Sequence, residues 1–222
     1  MNRSKTREQN PPGIKICGLF RECDIEYVNE ACPDYAGFII GFPKSHRNVT
    51  PQETLKLRSR LLPQIRAVGV FVDQDPDTVA QIVKYVDLDV IQLHGREDDA
   101  QIEYLRKKTG LPVWKAFKVR SAETLAAASK CTADEVILDS GYGTGNAFDW
   151  SIAAKERESI LAGGFILAGG LTPENIPKAL QLLRPKAVDI SSGVETDKVK
   201  DRKKILAAVR AVREMTRQIE AE

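Results

Sequence analysis

The chain has 222 residues, with 33 lysines and arginines against 31 aspartates and glutamates and a formal net charge of +2 at pH 7. This balance, with only 6% aromatic residues, excludes the usual nucleic-acid binder, in which basic clusters alternate with aromatic side chains. Residues 1–12 are polar and lack the apolar run of a secretory signal, and no stretch reaches the roughly 18 to 20 apolar residues that span a bilayer. We therefore expect a flexible tail at 1–12, one domain at 13–222, a cytoplasmic location and no membrane partner.

The four cysteines form no C-x-x-C pair, and the two histidines lie far from them in the sequence. A zinc site would need such ligands close together. The sequence therefore predicts no metal site and reduced thiols. The roles of Cys23, Cys32 and Cys131 stay open.

Eight short apolar runs, rich in β-branched residues, predict strands. They lie at Ile14–Cys17, Tyr35–Ile40, Ala67–Val72, Val90–Leu93, Val113–Phe117, Glu135–Asp139, Phe165–Ala168 and Ala187–Ser191. Each is followed by apolar residues at helical spacing, including the sixth helix at 152–161. Three helix starts are indicated by a capping residue before a proline, at Thr50-Pro51, Asp75-Pro76 and Thr172-Pro173.

Alternating strands and helices predict a parallel sheet with right-handed crossovers. Eight such units, with nearly continuous apolar strands, favour closure into a single (β/α)8 TIM barrel. The alternative is an open doubly wound sheet. No G-x-G-x-x-G follows the first strand, which counts against the dinucleotide site often found in that fold.

In such a barrel the active site forms where the strands end, so the loops after the strands hold the candidate residues. Gly169-Gly170 follows the seventh strand and Ser192-Gly193 the eighth. Backbone N–H groups in these two loops commonly bind phosphate, and glycine permits their close approach. The alternative is that these glycines only permit tight turns.

Cys17 and Asp139 end the first and sixth strands. Cys17 could face the barrel mouth, or it could be a buried small apolar side chain. Asp139 leaves an apolar strand, where desolvation would raise the pKa of its carboxyl and suit it to proton donation. It could equally cap the following loop through backbone N–H groups.

Three further polar residues lie near these strand ends. Arg47 is either a solvated loop cation or a guanidinium that binds a planar carboxylate through two hydrogen bonds. His94 is either packed and hydrogen-bonded at its strand end or a ligand-binding group. Lys15 precedes Cys17 by two residues and is a candidate for substrate binding.

Seven motifs, in order along nearly the whole chain, resemble the phosphoribosylanthranilate isomerase family of tryptophan biosynthesis. They are Lys15-Ile16-Cys17-Gly18; Gly37-Phe38 with Pro43-Lys44-Ser45-x-Arg47-x-Val49; Val68-Gly69-Val70-Phe71-Val72; Gln92-Leu93-His94-Gly95; Leu138-Asp139-Ser140 with Gly143-Thr144-Gly145 and Phe148-Asp149-Trp150; Leu167-Ala168-Gly169-Gly170-Leu171; and Asp189-Ile190-Ser191-Ser192-Gly193-Val194-Glu195. Each motif alone is weak, but their shared order and spacing are specific.

The resemblance implies Cys17 as general base, Asp139 as general acid and Arg47 as the group that holds the anthranilate carboxylate. It implies an Amadori rearrangement of N-(5'-phosphoribosyl)anthranilate to 1-(2-carboxyphenylamino)-1-deoxyribulose 5-phosphate, with no redox cofactor and no metal. One neutral carboxyl and one thiolate at the same pH would require the two pKa values to move toward each other. Monomer and homodimer both stay open.

The sequence departs from the family pattern in two places. Ile39-Ile40-Gly41-Phe42 displaces an aromatic residue that members often carry after the second strand's phenylalanine. Residues 196–201 read Thr-Asp-Lys-Val-Lys-Asp where a Pro-Gly pair is usual. The second departure puts the shape of the last loop, and with it the phosphate affinity, in doubt.

Other functions remain as alternatives. Indole-glycerol-phosphate synthase would need a group of lysine and glutamate residues in its site. Lys15 and Lys115 keep this alternative open. The histidine-pathway isomerase uses paired aspartates, so Cys17 counts against it. A metal-dependent sugar-phosphate epimerase would want more histidine ligands than two. A barrel that binds a phosphate ligand without catalysis is a fourth possibility, disfavoured by the presence of both Cys17 and Asp139.

Overall fold

The computed structural model describes residues 11–119, 121–139 and 164–221. The strands in these ranges are β1 Gly13–Cys17, β2 Tyr35–Ile40, β3 Asn48–Val49, β4 Arg66–Phe71, β5 Val90–Leu93, β6 Val113–Lys118, β7 Glu135–Asp139, β8 Ile166–Ala168, β9 Ala187–Ile190, β10 Glu195–Thr196 and β11 Val199–Lys200. The helices are α1 Glu22–Ala31, α2 Pro51–Arg58, α3 Pro76–Val86, α4 Asp99–Thr109, α5 Ala122–Lys130, α6 Ile176–Leu183 and α7 Arg202–Ala221, with a 3-10 turn at Ser192–Val194.

Eight parallel strands close into a barrel in the order β1-β2-β4-β5-β6-β7-β8-β9, because β1 pairs with both β2 and β9. The predicted (β/α)8 TIM barrel is confirmed, and each of its eight predicted strands lies within one residue of the observed bounds. The short β3 pairs in parallel with the end of β2. Closure leaves no open edge in the barrel, unlike the doubly wound alternative.

The core has two layers, which explains why the strands are apolar on both faces. The larger layer lies between the strands and the helices and contains Phe38, Phe71 and Phe165, all 1% exposed or less. The smaller layer fills the barrel interior with side chains from the inward face of the strands, including those of Val68 and Trp114. Burial on both faces fixes the register of each strand and therefore which side chains reach the barrel mouth.

Two of the three helix starts predicted from Thr-Pro and Asp-Pro pairs are confirmed. The side chains of Thr50 and Asp75 accept hydrogen bonds from the backbone N–H groups of Glu53 and Thr78 at the starts of α2 and α3. The third prediction is wrong, because α6 begins at Ile176 and not at Pro173.

A turn separates Thr172 from α6. The Asn175 side chain accepts from the backbone N–H of Thr172 and donates to the carbonyl of Gly170. These bonds hold the segment as a turn before the helix begins, which the proline spacing alone does not reveal.

Two predictions fall outside the described residues. The sixth helix, predicted at 152–161, lies within the undescribed range 140–163, and the tail at 1–12 lies almost wholly before residue 11. Among the helices that the structure describes, none is long and apolar enough to cross a membrane.

Candidate active site

A cavity of about 350 Å³ opens where the barrel strands end. It is lined by Cys17, Ile39, Arg47, Val70, Gln92, His94, Asp139, Ala168, Gly169, Gly170, Leu171, Asp189, Ile190, Ser191 and Ser192. Its volume is at the lower end of the range of small-molecule sites. The structure thus brings together seven of the nine predicted site residues around one space, and the exceptions are Lys15 and Gly193.

Lys15 lies below the cavity, inside the barrel, and its side chain is fully buried. Its Nζ is 2.8 Å from Oδ2 of Asp189, on the neighbouring strand β9. Burial opposes the charge on this lysine, but the Asp189 carboxylate and the Cys17 thiol outweigh it and raise the pKa of Lys15. The ammonium therefore stays charged beneath Cys17, and its predicted role in substrate binding is not supported by a place on the cavity wall.

Cys17 is 8% exposed at the end of β1. Burial raises the pKa of its thiol, and the Asp189 charge raises it further, while Lys15 acts in the opposite direction. The expectation of a lowered thiol pKa is therefore wrong for this structure. The physical reason is that desolvation of the sulfur outweighs a lysine whose charge is shared with Asp189.

Asp139 ends β7 and faces the cavity with its side chain 18% exposed. Its Oδ2 is 3.2 Å from Nε2 of His94, and Nδ1 of His94 is 3.5 Å from Nε2 of Gln92. His94 thus orients the Asp139 carboxyl from the neighbouring side of the cavity while it lines the cavity itself.

Arg47 reaches the cavity from the loop after β2, but its guanidinium already holds a carboxylate. Nε and Nη2 are 2.6 and 2.7 Å from the two oxygens of Glu195. Glu195 also accepts from Nζ of the buried Lys200 at 2.6 Å. Burial opposes the charge of Glu195, but these hydrogen bonds and charges lower the pKa of its carboxyl to about 2. Arg47 is therefore not a solvated loop cation.

The loops after β8 and β9 lie against each other at the mouth. Gly169, Gly170 and Ser192 line the cavity, and both glycines have positive φ, at 85° and 63°. A Cβ on Gly193 would collide with the carbonyl oxygen of Leu171. Glycine is thus required at 193 for the close contact between the two loops, although Gly193 itself does not line the cavity.

Eight of the fifteen cavity residues were not predicted, and two of these, Gln92 and Asp189, are buried and polar. Oε1 of Gln92 and Oδ1 of Asp189 are buried and have no hydrogen-bond partner among the described residues. Buried acceptors are almost always satisfied, so these two oxygens are exceptions that the described side chains do not explain. The available signal was a polar residue inside each of two apolar strands, at Val90–Leu93 and Ala187–Ile190.

The model of a known family, described as N-(5'phosphoribosyl)anthranilate (PRA) isomerase, matches residues 14–211. A relative from Acetivibrio thermocellus, named N-(5'-phosphoribosyl)anthranilate isomerase, is 44% identical over 214 residues, which cover 90% of this chain and 95% of the relative. The family match therefore includes every cavity residue.

Two solved structures extend the likeness to the fold. Monomers generated from the dimeric phosphoribosylanthranilate isomerase of Thermotoga maritima superpose with a TM-score of 0.79 at 32% identity, over 91% of this chain and 98% of that one. A phosphoribosylanthranilate isomerase in complex with reduced 1-(o-carboxyphenylamino)-1-deoxyribulose 5-phosphate gives a TM-score of 0.81 at 31% identity, over 91% and 99%.

Proposed function

The chain belongs to the N-(5'-phosphoribosyl)anthranilate isomerase family of tryptophan biosynthesis, and on that premise we propose that Cys17 is its general base and Asp139 its general acid. The observation that carries the proposal is that both side chains line one cavity at the barrel mouth, together with the two glycine loops and Arg47. A base and an acid on opposite sides of one bound sugar are what the rearrangement needs.

The reaction begins at the ribose ring. Asp139 gives a proton to the ring oxygen, the bond from C1 to that oxygen breaks, and the lone pair of the anthranilate nitrogen forms the iminium ion. The positive nitrogen acidifies the proton on C2. Cys17 removes that proton once its thiol is ionised, a minor form in the free protein because burial raises the thiol pKa, and an enolamine is left. The enolamine then gains a proton at C1 and loses the one on its C2 hydroxyl, which forms the ketone. The reduction of C1 and the oxidation of C2 balance within the substrate, so no external oxidant is needed.

The remaining cavity groups bind the substrate in this proposal. The loops with Gly169, Gly170 and Ser192 hold the phosphate through backbone N–H groups, with Gly193 packing them together. Gln92 and Asp189 line the cavity and contribute polar groups for the sugar hydroxyls. Arg47 holds the carboxylate of the anthranilate ring.

The reaction would take place in the cytoplasm, where the sequence predicts the chain to lie. Of the two oligomeric states left open, monomer and homodimer, the second is supported by the Thermotoga maritima relative, which is described as dimeric.

The test is a pair of variants, Cys17→Ala and Asp139→Asn. Each should lower kcat with phosphoribosylanthranilate generated in situ by about 10²-fold or more, the usual worth of one proton transfer. Each should bind the reduced product analogue within a few-fold of the wild type, because neither change removes the phosphate loops or Arg47. Near-normal turnover in either variant would remove that residue from the mechanism. Turnover of a histidine-pathway substrate, and none of phosphoribosylanthranilate, would favour the alternative isomerase.

A further inference from the structure

The ion pair between Arg47 and Glu195 crosses the end of β1. Arg47 follows β2 and Glu195 follows β9, and these are the two strands that pair with β1. A Cβ on Gly18, the residue after Cys17, would collide with Cδ of Arg47. The glycine at 18, which has φ of 76°, thus lets the arginine pass directly over the strand end beside the proposed base.

One edge of the Arg47 guanidinium is occupied and another is not. Nε and Nη2 each donate to Glu195, and Nη1 has no hydrogen bond to any of the described residues. A guanidinium has five N–H donors in one plane and can hold a second planar group at its other edge. That edge belongs to a side chain that lines the cavity, so a ligand carboxylate can bind without displacing Glu195.

Glu195 is itself rigidly held. Lys200, 2% exposed, donates to Oε1 of Glu195 and to the carbonyl of Ser191 at 3.1 Å. The Lys204 ammonium donates to the backbone carbonyl of Glu195 at 2.6 Å. The hairpin of β10 and β11 therefore fixes the carboxylate, and the carboxylate fixes the plane of the guanidinium.

The charges of this cluster do not cancel. Arg47 and Lys200 carry two positive charges and Glu195 one negative charge, at a site with low exposure. The cluster thus retains one net positive charge, which a carboxylate in the cavity would neutralise. A nearby imidazole, His46, is 3.9 Å from Glu195 and 42% exposed, and burial and the Arg47 charge lower its pKa.

We propose that Glu195 is a positioning residue that selects carboxylate-bearing substrates, because it orients the free edge of Arg47 toward the ring carboxylate. Lys200 holds Glu195 and leaves the cluster with its one unmatched positive charge. This inference rests on the proposed function, since it assigns Glu195 to the same carboxylate that Arg47 is proposed to bind.

The test compares two ligands by calorimetry, the reduced product analogue and a matched analogue with an unsubstituted phenyl ring. Glu195→Gln should lower the affinity for the carboxylate-bearing ligand by roughly tenfold or more. It should change the affinity for the phenyl analogue by less than about twofold. With the substrate, KM should rise by a similar factor while kcat changes much less. In an Arg47→Ala background, Glu195→Gln should have no further effect on affinity, because the two residues act as one unit.

A matched control is Glu97→Gln, which also removes a buried carboxylate from a buried lysine, Lys115 at 2.8 Å, away from the cavity walls. It should leave the preference between the ligands unchanged. Glu195→Asp keeps the charge beside Lys200 but shortens the reach to Arg47, so a folded protein with partial selectivity loss is expected. Equal weakening of both ligands by Glu195→Gln, or no weakening, would overturn the inference. If the wild type and the Arg47→Ala variant each bound the two ligands with equal affinity, the proposed role of Arg47 would instead be overturned.

Discussion

At the scale of single residues, burial of the sulfur and then the charges around Cys17 set how readily the base ionises. Lys15 stabilises the thiolate, whereas Asp189, paired with the same lysine, disfavours it. Burial of the sulfur adds to the effect of Asp189 and the pKa is raised. Two substitutions that break the same ion pair should therefore act on the thiol in opposite directions.

We expect Lys15→Met to raise the pKa of Cys17 above its wild-type value and Asp189→Asn to lower it. The measurement is the rate of Cys17 alkylation against pH, followed by mass spectrometry of the peptide that contains Cys17. Wild-type Cys17 should react with an apparent pKa above the ordinary thiol value of about 8.5, while the exposed Cys32 serves as the internal reference. A shift in the same direction in both variants would show that loss of structure, and not charge, controls the thiol.

At the scale of elements, residues 195–200 form the hairpin of β10 and β11. β10 and β11 pair in antiparallel fashion, and Asp197 and Lys198 between them have positive φ, at 51° and 64°. Such a two-residue turn matches the twist of a hairpin, but a non-glycine residue there is strained. The hairpin therefore places Lys200 against Glu195.

Lys198→Gly should raise the free energy of unfolding by about 1 kcal/mol, because glycine adopts the left-handed conformation without a Cβ clash. Urea denaturation monitored by circular dichroism measures the change. Arg210→Gly, a glycine substitution at an exposed position in the interior of α7, should instead lower the free energy of unfolding by about 0.5 to 1 kcal/mol. A loss of stability in Lys198→Gly would contradict the assignment of strain to this turn.

At the scale of the whole molecule, the Arg47–Glu195 pair joins two loops that are 148 positions apart in the chain. The pKa of Glu195 is lowered from 4.5 to about 2 in the folded protein. The unfolded chain therefore binds the proton more tightly than the folded one. The stabilisation is complete above the unfolded value and is lost as the pH falls from about 4.5 to about 2.

Glu195→Gln should remove this part of the acid sensitivity. Between pH 6 and pH 2.5, the wild type should lose roughly 2.5 kcal/mol more of its free energy of unfolding than the variant. Urea titrations at a series of pH values measure both slopes, and the other carboxylates contribute equally to each protein. Parallel curves for the two proteins would mean that the Glu195 pairs do not stabilise the fold.

The sequence alone determined the barrel, because eight apolar strands alternating with helices can bury both of their faces in few other ways. The order of strand ends also placed Cys17, Arg47, His94, Asp139 and the glycine loops on one rim. These inferences need only local periodicity and the rule that parallel strands all end at the same side of the sheet.

Only the tertiary structure decided what those residues touch. The pairing of Arg47 with Glu195, of Lys15 with Asp189 and of Asp139 with His94 joins positions that are far apart in the chain. Only the tertiary structure also decided the direction in which the pKa of Cys17 shifts, because that shift depends on burial and on charges from two strands. Electrostatic effects and hydrogen bonds follow distances in space, and those distances are fixed only when the barrel closes.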